Sequence, residues 1–187
     1  IEVAAIRVDS GEGHINITGV IEEEEMGGAG HKVRRRSMVK ESAENALTVL
    51  RRMMELDSVE YDIHINFPGG IPIDGPSAGV SMAVAIYSAI TGKPVNNDIA
   101  MTGEVTIRGL IKPIGGVSAK IEAARRSGAK RVLIPKDNWQ NLYQEYNEIE
   151  VFPIETLEEA IKKAVKVPDG EDKFNLITTN SIMTVSQ

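Results

Sequence analysis

The chain contains no cysteine, which removes disulfides, thiolate nucleophiles and cysteine-based zinc sites from the available chemistry and leaves the redox compartment open. Aromatic residues make up only 4% of the sequence. The core must therefore be largely aliphatic, and the stacking platforms that single-stranded nucleic acids require are lacking. No apolar stretch approaches the roughly 20 residues that cross a bilayer, and no charged-then-apolar leader opens the sequence. The chain is expected to be soluble and to make no membrane contact of its own. Positive charge is in deficit: 21 Lys and Arg stand against 27 Asp and Glu, for a formal net charge of −6. Such a balance offers no broad attraction to phosphate backbones and disfavours nucleic acid as a partner. The basic run Arg34-Arg35-Arg36 follows the acidic run Glu22-Glu23-Glu24-Glu25, and together they read as a solvated loop or edge without function.

What is present fits a single domain. The 187 residues suffice for one compact core, and a start at Ile1 in a strand-like run reads as a piece of a longer polypeptide. Period-two alternation over 2–8 and again over 14–21 predicts paired strands, an early hairpin or meander. Residues 26–32 hold three glycines without periodicity and read as a mobile loop; Val33 stands where a phosphate-binding loop needs Ser or Thr, so no nucleotide site is expected there. Apolar positions Val39, Ala43, Ala46, Leu47, Leu50 and Met54 predict an amphipathic helix over 37–56, behind a capping Ser37. A strand over 61–67 then leads into Pro68-Gly69-Gly70. The second half predicts a very apolar helix over 76–90, a strand over 99–102, a hairpin to 111 and a helix over 117–127. A strand over 131–134, a short helix over 138–146, a strand over 150–152 and a helix over 157–165 follow. The class is α/β with mixed strand directions and packed helices. The tail from about 169 is polar and weakly periodic, and partial disorder is expected there.

Two features carry chemistry. In Asp74-Gly75-Pro76-Ser77-Ala78-Gly79, Gly75 permits a tight turn and Pro76 suits the first turn of a helix. Ser77 then lies among unsatisfied backbone N–H groups that favour developing negative charge. An exposed, anchored serine beside such donors is half of an acyl-transfer site that also needs a base; the plain alternative is a glycine–proline helix start with Ser77 or Asp74 as its cap. Ser81 and Ser88 share its side of the helix, a small-residue stripe that signals close packing rather than catalysis. The second feature is Lys120. On a wheel of the helix after Pro113-Ile114-Gly115-Gly116, Val117, Ile121 and Ala124 form an apolar arc that Ala119 and Ala123 extend. Lys120 falls between Ala123 and Ala124, inside that arc rather than with Ser118, Glu122, Arg125 and Arg126. A lysine held dry loses its proton more readily than one in water, which is what a general base requires. The plain alternative is a lysine whose methylenes cover apolar surface while its ammonium reaches water.

With both features in view, the chain resembles the peptidase domain of the Lon family, of the archaeal type. The residues that carry the resemblance are 38–43 on the first helix, 64–79 around the serine, Thr102-Gly103-Glu104-Val105 with Gly109, Pro113 through Lys120, and 123–136. The resemblance implies a serine endopeptidase with a Ser–Lys dyad, Ser77 as nucleophile and Lys120 as base, acting on unfolded polypeptides. It implies Asp74 as a supporting carboxylate that orients or holds Lys120, although a carboxylate beside an ammonium also favours the charged form. It implies Thr102 as a neutral hydrogen-bond partner of Lys120. A homo-oligomer, a hexameric ring, is implied for the full-length enzyme, fed by an AAA+ ATPase module that lies outside this chain. ATP and Mg belong to that module, and no cofactor or metal is expected in this domain. The archaeal type rests on Ile73 in place of a charged residue and on a longer stretch over 21–37. It implies cytoplasmic location, at the membrane face through an anchor outside this chain. A catalytically silent interaction module is the competing reading. His64 with Asp62 invites a triad, but alternate residues of one strand merely point the same way; His64 reads as structural or substrate-adjacent, and His14 and His31 carry no signal.

Overall fold

The computed structural model describes residues 1–9, 13–20, 23–26, 33–54, 60–69, 73 and 75–166, with 23–26 and 33–36 described at the level of the backbone. The tail expected from about 169 and the carboxylate Asp74 lie outside the described residues. Strand β1 (Glu2–Arg7) and β2 (Ile15–Thr18) do not pair with each other as the alternation predicts. Both flank β5 (Tyr61–Asn66), β1 antiparallel and β2 parallel to it. Alternation reports which face of a strand is buried and says nothing of its neighbour, and β5, with Ile63 and Ile65 at 2% and 0% exposure, is the strand that takes the centre. Of the loop or edge expected for the charged runs, the described residues show strand. Strands β3 (Glu23–Met26) and β4 (Val33–Arg36) form an antiparallel ribbon in which Glu23, Glu24 and Glu25 are the register partners of Arg36, Arg35 and Arg34.

Helix α1 (Met38–Met54) begins where Ser37 Oγ accepts the Lys40 N–H at 3.4 Å, and it buries Val39, Ala43, Ala46, Leu47 and Leu50 as the spacing predicts. Helix α2 (Gly79–Thr91) is predominantly apolar and packs against α1, β1 and α4 (Leu157–Ala164). Its serines serve packing: Ser81 Oγ donates to the Met101 carbonyl at 2.9 Å and Ser88 Oγ to that of Lys93 at 2.6 Å.

The second half is a parallel sheet in the order β10 (Glu150–Ile154), β9 (Arg131–Pro135), β6 (Ile99–Met101). The hairpin of β7 (Glu104–Val105) and β8 (Ile111–Lys112) and then α3 (Val117–Arg126) fill the crossover from β6 to β9. Period-two geometry divides β9 between two cores: Leu133 joins the larger cluster of α1, β5, α2 and α4, whereas Val132 and Ile134 join a smaller one with Val117, Ile121 and Tyr143 of the α3 side. The helix expected over 138–146 is instead two 3₁₀ turns, Lys136–Asn138 and Asn141–Glu145, with Trp139 extended between them. Only Tyr143 is buried in these turns, so no amphipathic face exists to sustain an α-helix.

The two faces of the first sheet differ sharply in what they cover. Ile65→Ala is expected to cost about 2–5 kcal/mol by emptying the core. Ile6, 65% exposed on the opposite face, should tolerate Ser within about 0.5 kcal/mol. Urea unfolding of the two variants measures the difference.

Candidate active site

Ser77 sits in the middle of a single 3₁₀ turn, Pro76–Ala78, that runs directly into α2 at Gly79. Gly75, before the turn, has φ 130°, a backbone conformation that a side chain would resist. The N–H groups of this first turn have no acceptor within their own helix. Ser77 is therefore half-buried at the end of a helix whose own body is fixed in the core.

Lys120 approaches from the other half of the fold. It occupies the first full turn of α3, where its N–H bonds to the Gly116 carbonyl at 3.1 Å. Its Nζ donates to Ser77 Oγ at 3.1 Å, across 43 positions of sequence. The two residues that the sequence singles out are thus brought within hydrogen-bonding distance. The dry environment expected of Lys120 is not found in this single chain. Val117 and Ile121 are the residues of α3 that bury, while Ala119, Lys120 and Ala123 are exposed. The buried stripe is narrower than the apolar arc on the wheel, because alanines extend an arc without reaching far enough to bury themselves.

Thr102 stands just beyond the carboxyl end of β6, the end of parallel strands at which sites commonly form. It is 7% exposed, and its hydroxyl donates to the Ser77 carbonyl at 3.1 Å. Its described bond is to the backbone of Ser77 rather than to Lys120. His64 and Asp62 are not joined in a triad. His64 Nε2 lies 3.1 Å from Thr18 Oγ1, whose proton goes to Asn66 Oδ1 at 2.8 Å, so the ring nitrogen is the donor. Asp62 Oδ1 accepts the His14 N–H at 2.9 Å. A further residue at the site, Ser42 of α1, is 3% exposed with its hydroxyl donating to the Pro76 carbonyl at 3.3 Å. Its signal in the sequence was a hydroxyl three places after Val39 on the buried side of an otherwise apolar stripe.

Helix α3 packs through Val117 and Ile121 and carries a charge cluster on its outer side. The Glu122 carboxylate accepts from Arg125 at 2.8 and 2.9 Å and from Arg126 at 2.7 Å, and Arg125 also reaches Glu148. Ser118 and Tyr143 share a hydroxyl bond at 2.9 Å. The hydrogen bonds from Arg125 and then Arg126 hold the Glu122 carboxyl down at about 2, against an ordinary 4.5.

The chain matches the sequence family described as the Lon protease (S16) C-terminal proteolytic domain over residues 2–167. It is 52% identical over 162 residues to Lon protease 2 of Bacillus subtilis, covering 87% of this chain and 29% of that protein. To Lon protease of Syntrophomonas wolfei it is 39% identical, with 92% of this chain and 21% of the relative covered. Lon protease of Methanosarcina barkeri is also 39% identical, with 70% and 18% covered. The chain thus spans less than a third of the length of these relatives.

A depressed carboxyl stabilises the fold above its unfolded value and loses that contribution as pH falls toward its folded value. For Glu122 the window runs from 4.5 down to about 2. Chemical denaturation across this range should show Glu122→Gln losing less stability than the parent as acid is added.

Proposed function

The chain belongs to the Lon protease C-terminal proteolytic domain family, and we propose that it is a serine endopeptidase with Ser77 as nucleophile and Lys120 as general base. The observation that carries this reading is the 3.1 Å approach of Lys120 Nζ to Ser77 Oγ, within the reach that proton transfer needs. In its neutral form Nζ takes the Oγ proton while Oγ bonds to the scissile carbonyl carbon. The ammonium so formed returns the proton to the departing amine nitrogen as the C–N bond breaks. Water then attacks the ester, giving its proton to Nζ, and the proton passes back to Oγ as the C–Oγ bond opens. A serine beside an organised lysine supports this chemistry better than a silent interaction module, for which neither side chain would need the other.

The exposure of Lys120 gives the substrate a part in its own cleavage. An extended polypeptide laid over the flank of Ala119, Lys120 and Ala123 would exclude water from the amine and favour its neutral form. Asp74 is retained in the proposal as a carboxylate near the turn that orients the lysine. Thr102 is retained as a supporting residue, through Ser77.

The remaining elements of the proposal concern the larger protein. Unfolded polypeptides are delivered by an AAA+ ATPase module that uses ATP and Mg. The working assembly is a homo-oligomer, in our reading a hexamer, in the cytoplasm. Ile73 and the stretch over 21–37 support the archaeal type with a membrane anchor in the ATPase part. Bacterial and archaeal proteins both match this chain, so similarity does not divide the two types.

Three variants test the dyad on a short fluorogenic peptide in the native full-length protein. Ser77→Ala and Lys120→Ala are each expected to lower kcat by at least about 10³-fold. Lys120→Arg, which keeps the cation but cannot release a proton, should be as inactive as Lys120→Ala. Substantial turnover by the arginine variant would assign Lys120 an electrostatic role and end its claim as base.

A further inference from the structure

Behind the nucleophile turn lies a set of donors that the dyad chemistry leaves unused. The Pro76 carbonyl accepts from the Ser42 hydroxyl at 3.3 Å and from the Gly79 N–H. The next carbonyl, that of Ser77, accepts from the Gly103 N–H at 2.9 Å and from the Thr102 hydroxyl at 3.1 Å. Each of two consecutive carbonyl oxygens therefore has both of its lone pairs engaged. The approach depends on Gly79: a β-carbon there would lie 2.8 Å from Ser42 Oγ, 3.0 Å from the Val105 nitrogen and 3.3 Å from the Gly103 carbonyl oxygen. Ser42 and Thr102 are both buried, at 3% and 7% exposure, so solvent does not compete for these bonds.

The consequence follows from the planar trans peptide, in which C=O and N–H point in opposite directions. Drawing the carbonyls of Pro76 and Ser77 inward, toward α1 and the end of β6, turns the N–H groups of Ser77 and Ala78 outward. These are first-turn groups without an acceptor in their own helix. Two fixed N–H donors beside a nucleophilic Oγ are what the oxyanion of a tetrahedral intermediate requires, and their value lies in being aimed before the charge develops.

We infer that Ser42 and Thr102 are positioning residues that preset an oxyanion-binding pair, the N–H groups of Ser77 and Ala78, by holding the carbonyls of Pro76 and Ser77 from behind. Gly79 provides the space for this clamp. The inference rests on the serine peptidase reading and gives Ser42 a role that its distance from the dyad chemistry would not suggest.

The test compares kcat, KM and the affinity of a peptide boronate, which forms a tetrahedral adduct on a serine oxygen, in the native full-length protein. The variants are Ser42→Ala, Thr102→Val and Thr102→Ser, each assayed below its melting temperature, with Ser77→Ala as reference. Ser42→Ala and Thr102→Val should lose about 10-fold or more in kcat and in boronate affinity together, while KM stays within about twofold. Thr102→Ser should restore most of what Thr102→Val loses, and that pair decides the matter if Ser42→Ala does not fold. Undiminished kcat and boronate affinity in the folded variants, or a rise in KM alone, overturns the inference. Turnover surviving in Ser77→Ala would instead overturn the peptidase reading itself, so the two failures are distinguishable.

Discussion

The position of Ser77 is set by the burial of α2. Its core side is fully buried: Val80, Met82, Ala83, Val84 and Ile86 are at most 1% exposed, and α1, β1 and α4 pack against it. A helix so packed cannot slide or roll without opening voids among its neighbours, and interiors of native density resist that. The turn at its start inherits this rigidity. Ser77 is thus half-buried not on a free loop but on the end of a rod whose length lies in the core, which is the kind of support that a preorganised site requires.

Ser77 and Lys120, the proposed dyad, come from opposite faces of one sheet. Strand β9 sends Leu133 toward the cluster beneath α2 and Val132 and Ile134 toward the cluster beneath α3. Ser77 rides on the first and Lys120 on the second. Thr102 and Gly103, at the end of β6, join them: the Thr102 N–H bonds to the Leu133 carbonyl at 3.0 Å, while the Thr102 hydroxyl and the Gly103 N–H reach Ser77. The sheet edge therefore acts as the gauge that sets the separation of nucleophile and amine.

Much of this was legible in the residues alone, and the errors have a common cause. Alternation and helical spacing identified α1, α2, α3, α4 and most of the strands because each has one face with a clear preference for the interior. Pairing was not legible, since alternation over 2–8 and 14–21 fits a hairpin as well as two strands flanking β5. The segment over 138–146 misled because aromatic residues at helical intervals do not by themselves make a buried stripe. At the site, Ser77 and Lys120 could be named from local chemistry and family resemblance. The solvation of Lys120 could not, because burial is a property of what surrounds α3 and not of its wheel. Thr102 was noticed for its place in a motif, but its bond to the Ser77 carbonyl depends on how β6 ends beside α2. Ser42 stood in the matching stretch of α1 with only a hydroxyl on the buried side to mark it, and the distance to Pro76 is what gives it a role.

The route of the chain through the parallel sheet has a bearing on biogenesis. Helix α3 lies within the crossover from β6 to β9, so the amine is delivered to the alcohol only after strands distant in the chain have found each other, a slow, non-local step in folding. A nascent chain emerging in order from its N-terminus would present the alcohol long before the strand that seats its partner. Whatever chemistry the proposed dyad performs would then wait, during synthesis, on the completion of this topology.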